Sequence, residues 1–134
     1  MLKILVAEDD LVSRKILVKL LNKFGDVDIV FNGLEAIDAM MLSVKSKSPY
    51  DLYCLDIMMP KVDGIKVLST IRDYENQMKI EKSKIVMITA LNEKNVIDDA
   101  FAKGADAYAT KPLDLEKFID VLEKLDVLDP DKIK

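Results

Sequence analysis

Four apolar runs in this chain each lead into a residue with chemistry. Leu52-Tyr53-Cys54-Leu55 leads into Asp56, and Ile4-Leu5-Val6-Ala7 into the acidic triplet Glu8-Asp9-Asp10. Ile85-Val86-Met87-Ile88 leads into Thr89, and Asp106-Ala107-Tyr108-Ala109-Thr110 into Lys111-Pro112. Taken alone, Asp56 is best explained as a cap for the turn that leads to Pro60 and Gly64. Thr89 alone is a β-branched strand residue, Lys111 a solvated turn lysine and Tyr108 an aromatic half-buried at a strand edge. Brought together, Glu8, Asp9 and Asp56 repel by several kcal/mol, as an order of magnitude for close like charges. Lys111 offers one compensating charge. A hard divalent cation held by oxygens offers two, and Mg²⁺ suits a site of few carboxylates that also keeps water and a phosphate oxygen. A nucleophilic carboxylate, a metal, a cation and a hydroxyl donor make up the equipment of phosphoryl transfer, with Asp56 as the nucleophile.

These residues meet only if the runs are neighbouring parallel strands. Between them lie stretches with helical spacing. Val12, Ile16, Leu17, Leu20, Leu21 and Phe24 predict a first helix stopped by Gly25. A strand over Val27–Phe31 follows, and then Leu34, Ile37, Met41 and Val44 predict a second helix after the Asn32-Gly33 turn. Ile65, Leu68 and Ile71 predict a third, after which the charged stretch Arg72 to Lys84 is expected to fray or form a long exposed connection. Val96, Ile97, Ala100 and Phe101, closed by Gly104, predict a fourth, and Leu115, Phe118, Ile119 and Leu122 a fifth from Asp114 to Leu125. Five alternations of strand and helix predict an α/β fold, a (βα)5 doubly wound parallel five-stranded sheet. Right-handed crossovers then put every strand's carboxyl end on one edge, which is where such sheets bind ligands.

The chain has 134 residues, half of them hydrophobic, enough for one domain. A formal charge of -4 argues against direct DNA binding, which needs clustered cations. The absence of histidine removes His-based acid/base catalysis and the commonest zinc ligand. The single cysteine, Cys54, sits inside an apolar run and reads as a buried hydrophobe in a reducing compartment. No run approaches membrane-spanning length or forms a signal peptide, so a cytoplasmic protein without membrane insertion is expected.

In register, these residues resemble the receiver domains of two-component response regulators, a flavodoxin-like fold. The resemblance runs from about Leu2 to Leu125, which makes residues 1–125 the receiver domain and 126–134 a short polar tail. The family's acidic pair falls on Glu8 and Asp9, and its phosphoacceptor on Asp56 within Asp56-Ile57-Met58-Met59-Pro60 and ahead of Asp63-Gly64. Its hydroxyl residue falls on Thr89, its lysine on Lys111 and its switch aromatic on Tyr108. The resemblance implies Mg²⁺ bound by Asp9, Asp56 and the main-chain carbonyl of Met58, with Glu8 acting through water. Asp10 is instead expected to cap the first helix. It also implies a histidine kinase or phosphotransfer protein as donor, a cis Lys111-Pro112 peptide, and a protein output partner on the face of helix four, strand five and helix five. Met58 and Leu91 occupy the family's two lifetime-tuning positions. Neither side chain can position an attacking water, so a phosphorylated state that is not unusually short-lived is expected.

Three other readings are weighed. A haloacid-dehalogenase-type phosphohydrolase needs a second Asp two residues after the nucleophile, where Met58 stands. A flavodoxin-like cofactor binder needs a phosphate-cradling loop where Glu8-Asp9-Asp10 would repel the phosphate. A receiver that signals without phosphorylation would not need the complete set of site residues. The end of the chain shortly after the fifth helix reads either as a stand-alone regulator of chemotaxis or phosphorelay type, or as a piece of a longer protein.

Overall fold

The computed structural model describes residues 2–90 and 93–127. Strands β1 (Leu2–Ala7), β2 (Gly25–Val30), β3 (Leu52–Asp56), β4 (Lys84–Thr89) and β5 (Ala107–Thr110) alternate with helices α1 (Leu11–Leu21), α2 (Gly33–Lys45), α3 (Gly64–Met78), α4 (Lys94–Ala102) and α5 (Leu115–Lys124). The strands form one sheet in the order β2-β1-β3-β4-β5, and every neighbouring pair is parallel. This is the (βα)5 architecture expected from the sequence. β3 lies at the centre and is buried at all five residues, which is why it reads as a continuous apolar run and not as an alternation.

Side-chain alternation along the strands divides the core in two. Ile4, Val6, Leu52, Cys54, Val86 and Ile88 face α1 and α5, where Leu17, Leu21, Phe118 and Leu122 meet them. Leu5, Ala7, Tyr53, Leu55, Ile85 and Met87 face the other way, against Ala36, Met40, Val67, Leu68, Ile71 and Ala100. Burial pushes the Cys54 thiol up to about 12, so it packs as an inert apolar group.

Several local expectations are corrected. In α2 the sheet-facing row is Gly33, Ala36, Met40 and Ser43; Ile37, Met41 and Val44 flank it, and Leu34 is exposed. Both rows step by three, four and three residues, so periodicity cannot choose between them. In α1 the buried row includes Ser13, while Val12 is 66% exposed. Phe101 and Leu115 are also exposed. Gly25 does not stop α1, which is capped at Asn22. It begins β2, where a Cβ would collide with the Leu2 carbonyl. Phe31 lies beyond β2, with the Arg14 guanidinium 4.6 Å over its ring.

The largest correction concerns Arg72 to Lys84. The helix continues to Met78 and ends with Lys79 in a left-handed conformation. Arg72 and Glu75 turn inward, because partners from Ser83, just before β4, and from the segment before β5 satisfy their charges. Val127, within the stretch read as a polar tail, is buried in the α1/α5-side core.

Candidate phosphoacceptor site

Each strand end delivers its residue by a backbone constraint. Glu8 follows β1, and its N–H donates to the Val30 carbonyl at 3.1 Å, extending the ladder with β2 and turning the side chain fully inside. Asp9 is exposed. Asp10 caps α1, accepting from Ser13 N at 3.1 Å and Ser13 Oγ at 2.7 Å; these bonds hold its carboxyl below the usual aspartate range. Asp10 thus caps the first helix as expected. Ser13, which sequence reasoning passed over, shows itself as the third residue after the cap, the position that capping side chains reach.

Asp56 closes β3 and is 3% exposed. The Ile57 N–H donates to the Ile88 carbonyl at 2.9 Å, and the Gly64 N–H to the Ile57 carbonyl at 2.8 Å. A side chain at Gly64 would collide with the Asp56 carbonyl, so glycine lets the start of α3 press against the end of β3. Of the Asp56 oxygens, Oδ1 accepts from Met58 N at 3.1 Å and Oδ2 from Lys111 Nζ at 3.1 Å.

Thr89 is fully buried at the end of β4, in register with Thr110. Its carbonyl accepts from Lys111 N at 2.9 Å, which ties the lysine to the strand carrying the hydroxyl. Lys111-Pro112 is cis. Lys111 Nζ lies 2.8 Å from Glu8 Oε1 as well as 3.1 Å from Asp56 Oδ2. The Glu8 contact is one of charge, since Oε1 is buried and receives no aligned hydrogen bond; Oε2 accepts from Asp10 N at 3.2 Å.

The electrostatics follow from this crowding. Burial first, and then the adjacent Asp56, push Glu8 up to about 7, with Lys111 opposing them. Burial pulls Lys111 down, but its contacts with Glu8 and Asp56 outweigh that and hold it above the usual lysine range. One carboxylate oxygen from each of Glu8, Asp9 and Asp56 lies within 4.8 Å of the others. Three carboxylates facing one ammonium form the donor set a hard divalent cation takes. The residues present therefore fit such an ion.

The remaining predicted residues are less tightly drawn in. The Met58 side chain is 61% exposed and lines, with Asp9, Met59, Pro60 and Val96, an open groove of about 960 Å³. Tyr108 is 40% exposed, and its ring meets that of Phe101 edge to face. Leu91 lies outside the described residues.

Residues 4–123 match the family model described as the response regulator receiver domain. The chain is 31% identical to the chemotaxis protein CheY of Listeria monocytogenes over 92% of its own length and 98% of that protein. It is 35% identical to hybrid signal transduction histidine kinase G of Dictyostelium discoideum, of which it spans only 4%. Among solved structures it is similar to a chain of the CheX-CheY-BeF3-Mg²⁺ complex from Borrelia burgdorferi. The TM-score is 0.81 at 28% identity, over 92% of this chain and 88% of that one.

Proposed function

The chain belongs to the response regulator receiver domain family, and from that premise we propose that it accepts a phosphoryl group onto Asp56 with Mg²⁺ as cofactor. The observation that carries this reading is Lys111 Nζ placed between Glu8 Oε1 and Asp56 Oδ2, with Asp9 within ligand distance of both carboxylates. The donor is the phosphohistidine of a histidine kinase or phosphotransfer protein. An Asp56 oxygen attacks phosphorus, the P–N bond breaks with its electron pair retained by the imidazole, and an acyl phosphate results.

Glu8, Asp9, Asp56 and the Met58 main-chain carbonyl would hold the Mg²⁺. When bound, it supplies positive charge that offsets the carboxylates and stabilises the phosphoryl oxygens. Met58 N, bonded to Oδ1, orients the nucleophile. Lys111 follows the charge from carboxylate to phosphoryl oxygen, and Thr89 supplies a hydroxyl donor. Those new bonds bias Tyr108 and the α4-β5-α5 face toward a form that binds a protein partner, a population shift driven by differential contacts. The chain works as a signalling phosphoacceptor that turns over only its own acyl phosphate. The apolar Met58 and Leu91 give that phosphate a lifetime that is not unusually short. Among the described residues, no helix is long and apolar enough to cross a membrane. With a net charge of -4, the reading extends to a cytoplasmic regulator acting through protein contacts and not directly on DNA.

The test is intact mass after incubation with acetyl phosphate. A labile adduct of one phosphoryl group that needs Mg²⁺ and is lost in Asp56→Asn supports the reading. No adduct with acetyl phosphate or with a panel of phosphorylated histidine kinases overturns it.

A further inference from the structure

Phe101 on α4 and Tyr108 on β5 meet with ring centroids 6.0 Å apart and planes at 82°, the edge-to-face geometry that aromatic quadrupoles favour. Both residues are exposed, at 42% and 40%, and neither belongs to either core cluster. α4 is fastened to the core by Ala100, its one buried residue, so the fold does not call for an aromatic ring at position 101. On its other side Tyr108 borders an open cavity of about 370 Å³, lined also by Pro112, Leu113 and Phe118. Among the described residues, Phe101 is the only ring in contact with it.

Resting on the phosphoacceptor reading above, we infer that Phe101 is a positioning residue that latches Tyr108 in its exposed orientation and so sets how readily the acidic site takes up a phosphoryl group. An edge-to-face pair shifts a two-state equilibrium by about 2- to 10-fold. Coupling between two sites is reciprocal: if phosphoryl binding favours release of Tyr108, a mutation that releases Tyr108 favours phosphoryl binding. While the released form is the minor one, apparent affinity rises in proportion to its population.

The experiment titrates the whole chain, with Mg²⁺ present, with beryllofluoride, a phosphoryl mimic that forms no covalent bond. Wild type, Phe101→Ala and Phe101→Leu are compared, with 3-fluorotyrosine labelling read by fluorine NMR and the Tyr108 signal assigned through Tyr108→Phe. In Phe101→Ala, beryllofluoride binding is expected to tighten about 2- to 10-fold. The Tyr108 signal of the free protein should move toward its beryllofluoride-bound position. Phe101→Leu, which keeps apolar bulk without the quadrupole, should shift both in the same direction by less. A merely structural role would weaken binding or leave it alone. Unchanged or weaker binding in Phe101→Ala overturns the latch; if that variant does not fold, the same result in Phe101→Leu does so. Failure of the wild type to bind beryllofluoride with Mg²⁺ overturns the phosphoacceptor reading, and the latch with it.

Discussion

Two charged clusters sit at opposite edges of the same sheet, and they are built on opposite principles. At the entry edge of β4 and β5, Arg72 Nη1 donates to Glu75 Oε1 at 2.7 Å and to the Ser83 carbonyl at 2.9 Å. Its Nε donates to the Gly104 carbonyl at 3.0 Å, and its Nη2 to Asp106 Oδ2 at 2.9 Å. Glu75 Oε2 accepts from both Ser83 N and Oγ, and Asp106 Oδ2 also accepts from Ile85 N. At the exit edge, Glu8, Asp9 and Asp56 are clustered around one lysine, whose Nζ lies 2.8 Å from the buried Glu8 Oε1 and 3.1 Å from Asp56 Oδ2. The first cluster sets one guanidinium against two carboxylates, meets both with additional N–H and O–H donors, and fastens α3 to the segments around β4 and β5. The second sets three carboxylates against one lysine, the shortfall of positive charge on which the proposed uptake of a cation and a phosphoryl group rests. Similar residue types thus fasten the structure at one edge and are left undercompensated at the other, the difference lying in how completely their charges and hydrogen bonds are satisfied.

This contrast predicts stability effects of opposite sign. Arg72→Ala should cost the most, about 3–5 kcal/mol, because it leaves the buried Glu75 and the part-buried Asp106 without their cation and two carbonyls without their donor; the urea midpoint measures it, and a loss within error would mean the cluster is not structural. Glu75→Gln should destabilise by about 1–3 kcal/mol, the cost of weakening hydrogen bonds made to a charged group.

Glu8→Gln should instead stabilise the metal-free protein, by about 2 kcal/mol at pH 8. Its sign comes from the raised pKa. Burial and the adjacent Asp56 push Glu8 up to about 7 in the fold from an ordinary glutamate value of 4.5, so between those pH values the folded state binds more protons than the unfolded one. The Glu8 contribution is fully present below pH 4.5 and is lost as pH rises through 7. Urea midpoints of wild type and Glu8→Gln in EDTA should therefore diverge between pH 5 and 8, and Mg²⁺ should shrink the gap by favouring ionised Glu8. A gap independent of both pH and Mg²⁺ would contradict the undercompensated picture. Gly104→Ala should have the smallest effect, a loss of about 1 kcal/mol. Gly104 has φ of +111° and the Arg72 side chain lies against it, so thermal unfolding should show a lower Tm.

Much of the acidic edge could be read directly because its residues end apolar runs. A buried parallel strand announces itself by continuous hydrophobicity, and the first charged or hydroxyl residue after it marks the functional edge. Asp56, Thr89 and the Glu8-Asp9 pair were found that way, and Asp10 was set apart by the chemistry of helix capping. The Arg72 cluster gave no such sign. Arg72, Glu75, Ser83 and Asp106 stand in a polar stretch and before a short strand, and a run of charges looks solvated until its partners arrive from elsewhere in the chain. The sheet-facing row of α2 was hidden for another reason, since two rows with identical spacing differ only in which one the sheet happens to meet.

Hydrophobic period and turn chemistry are local properties, and they sufficed for the order of elements, the parallel sheet and the edge on which the acidic and hydroxyl residues gather. Tertiary structure alone decided that Lys111 reaches both Glu8 and Asp56, that Glu8 is wholly buried while Asp9 is exposed, and that Phe101 lies against Tyr108. Those facts depend on distances between segments far apart in sequence. Such distances are fixed only when strands pair, the helices take their rotation about the sheet, and buried charges find their partners.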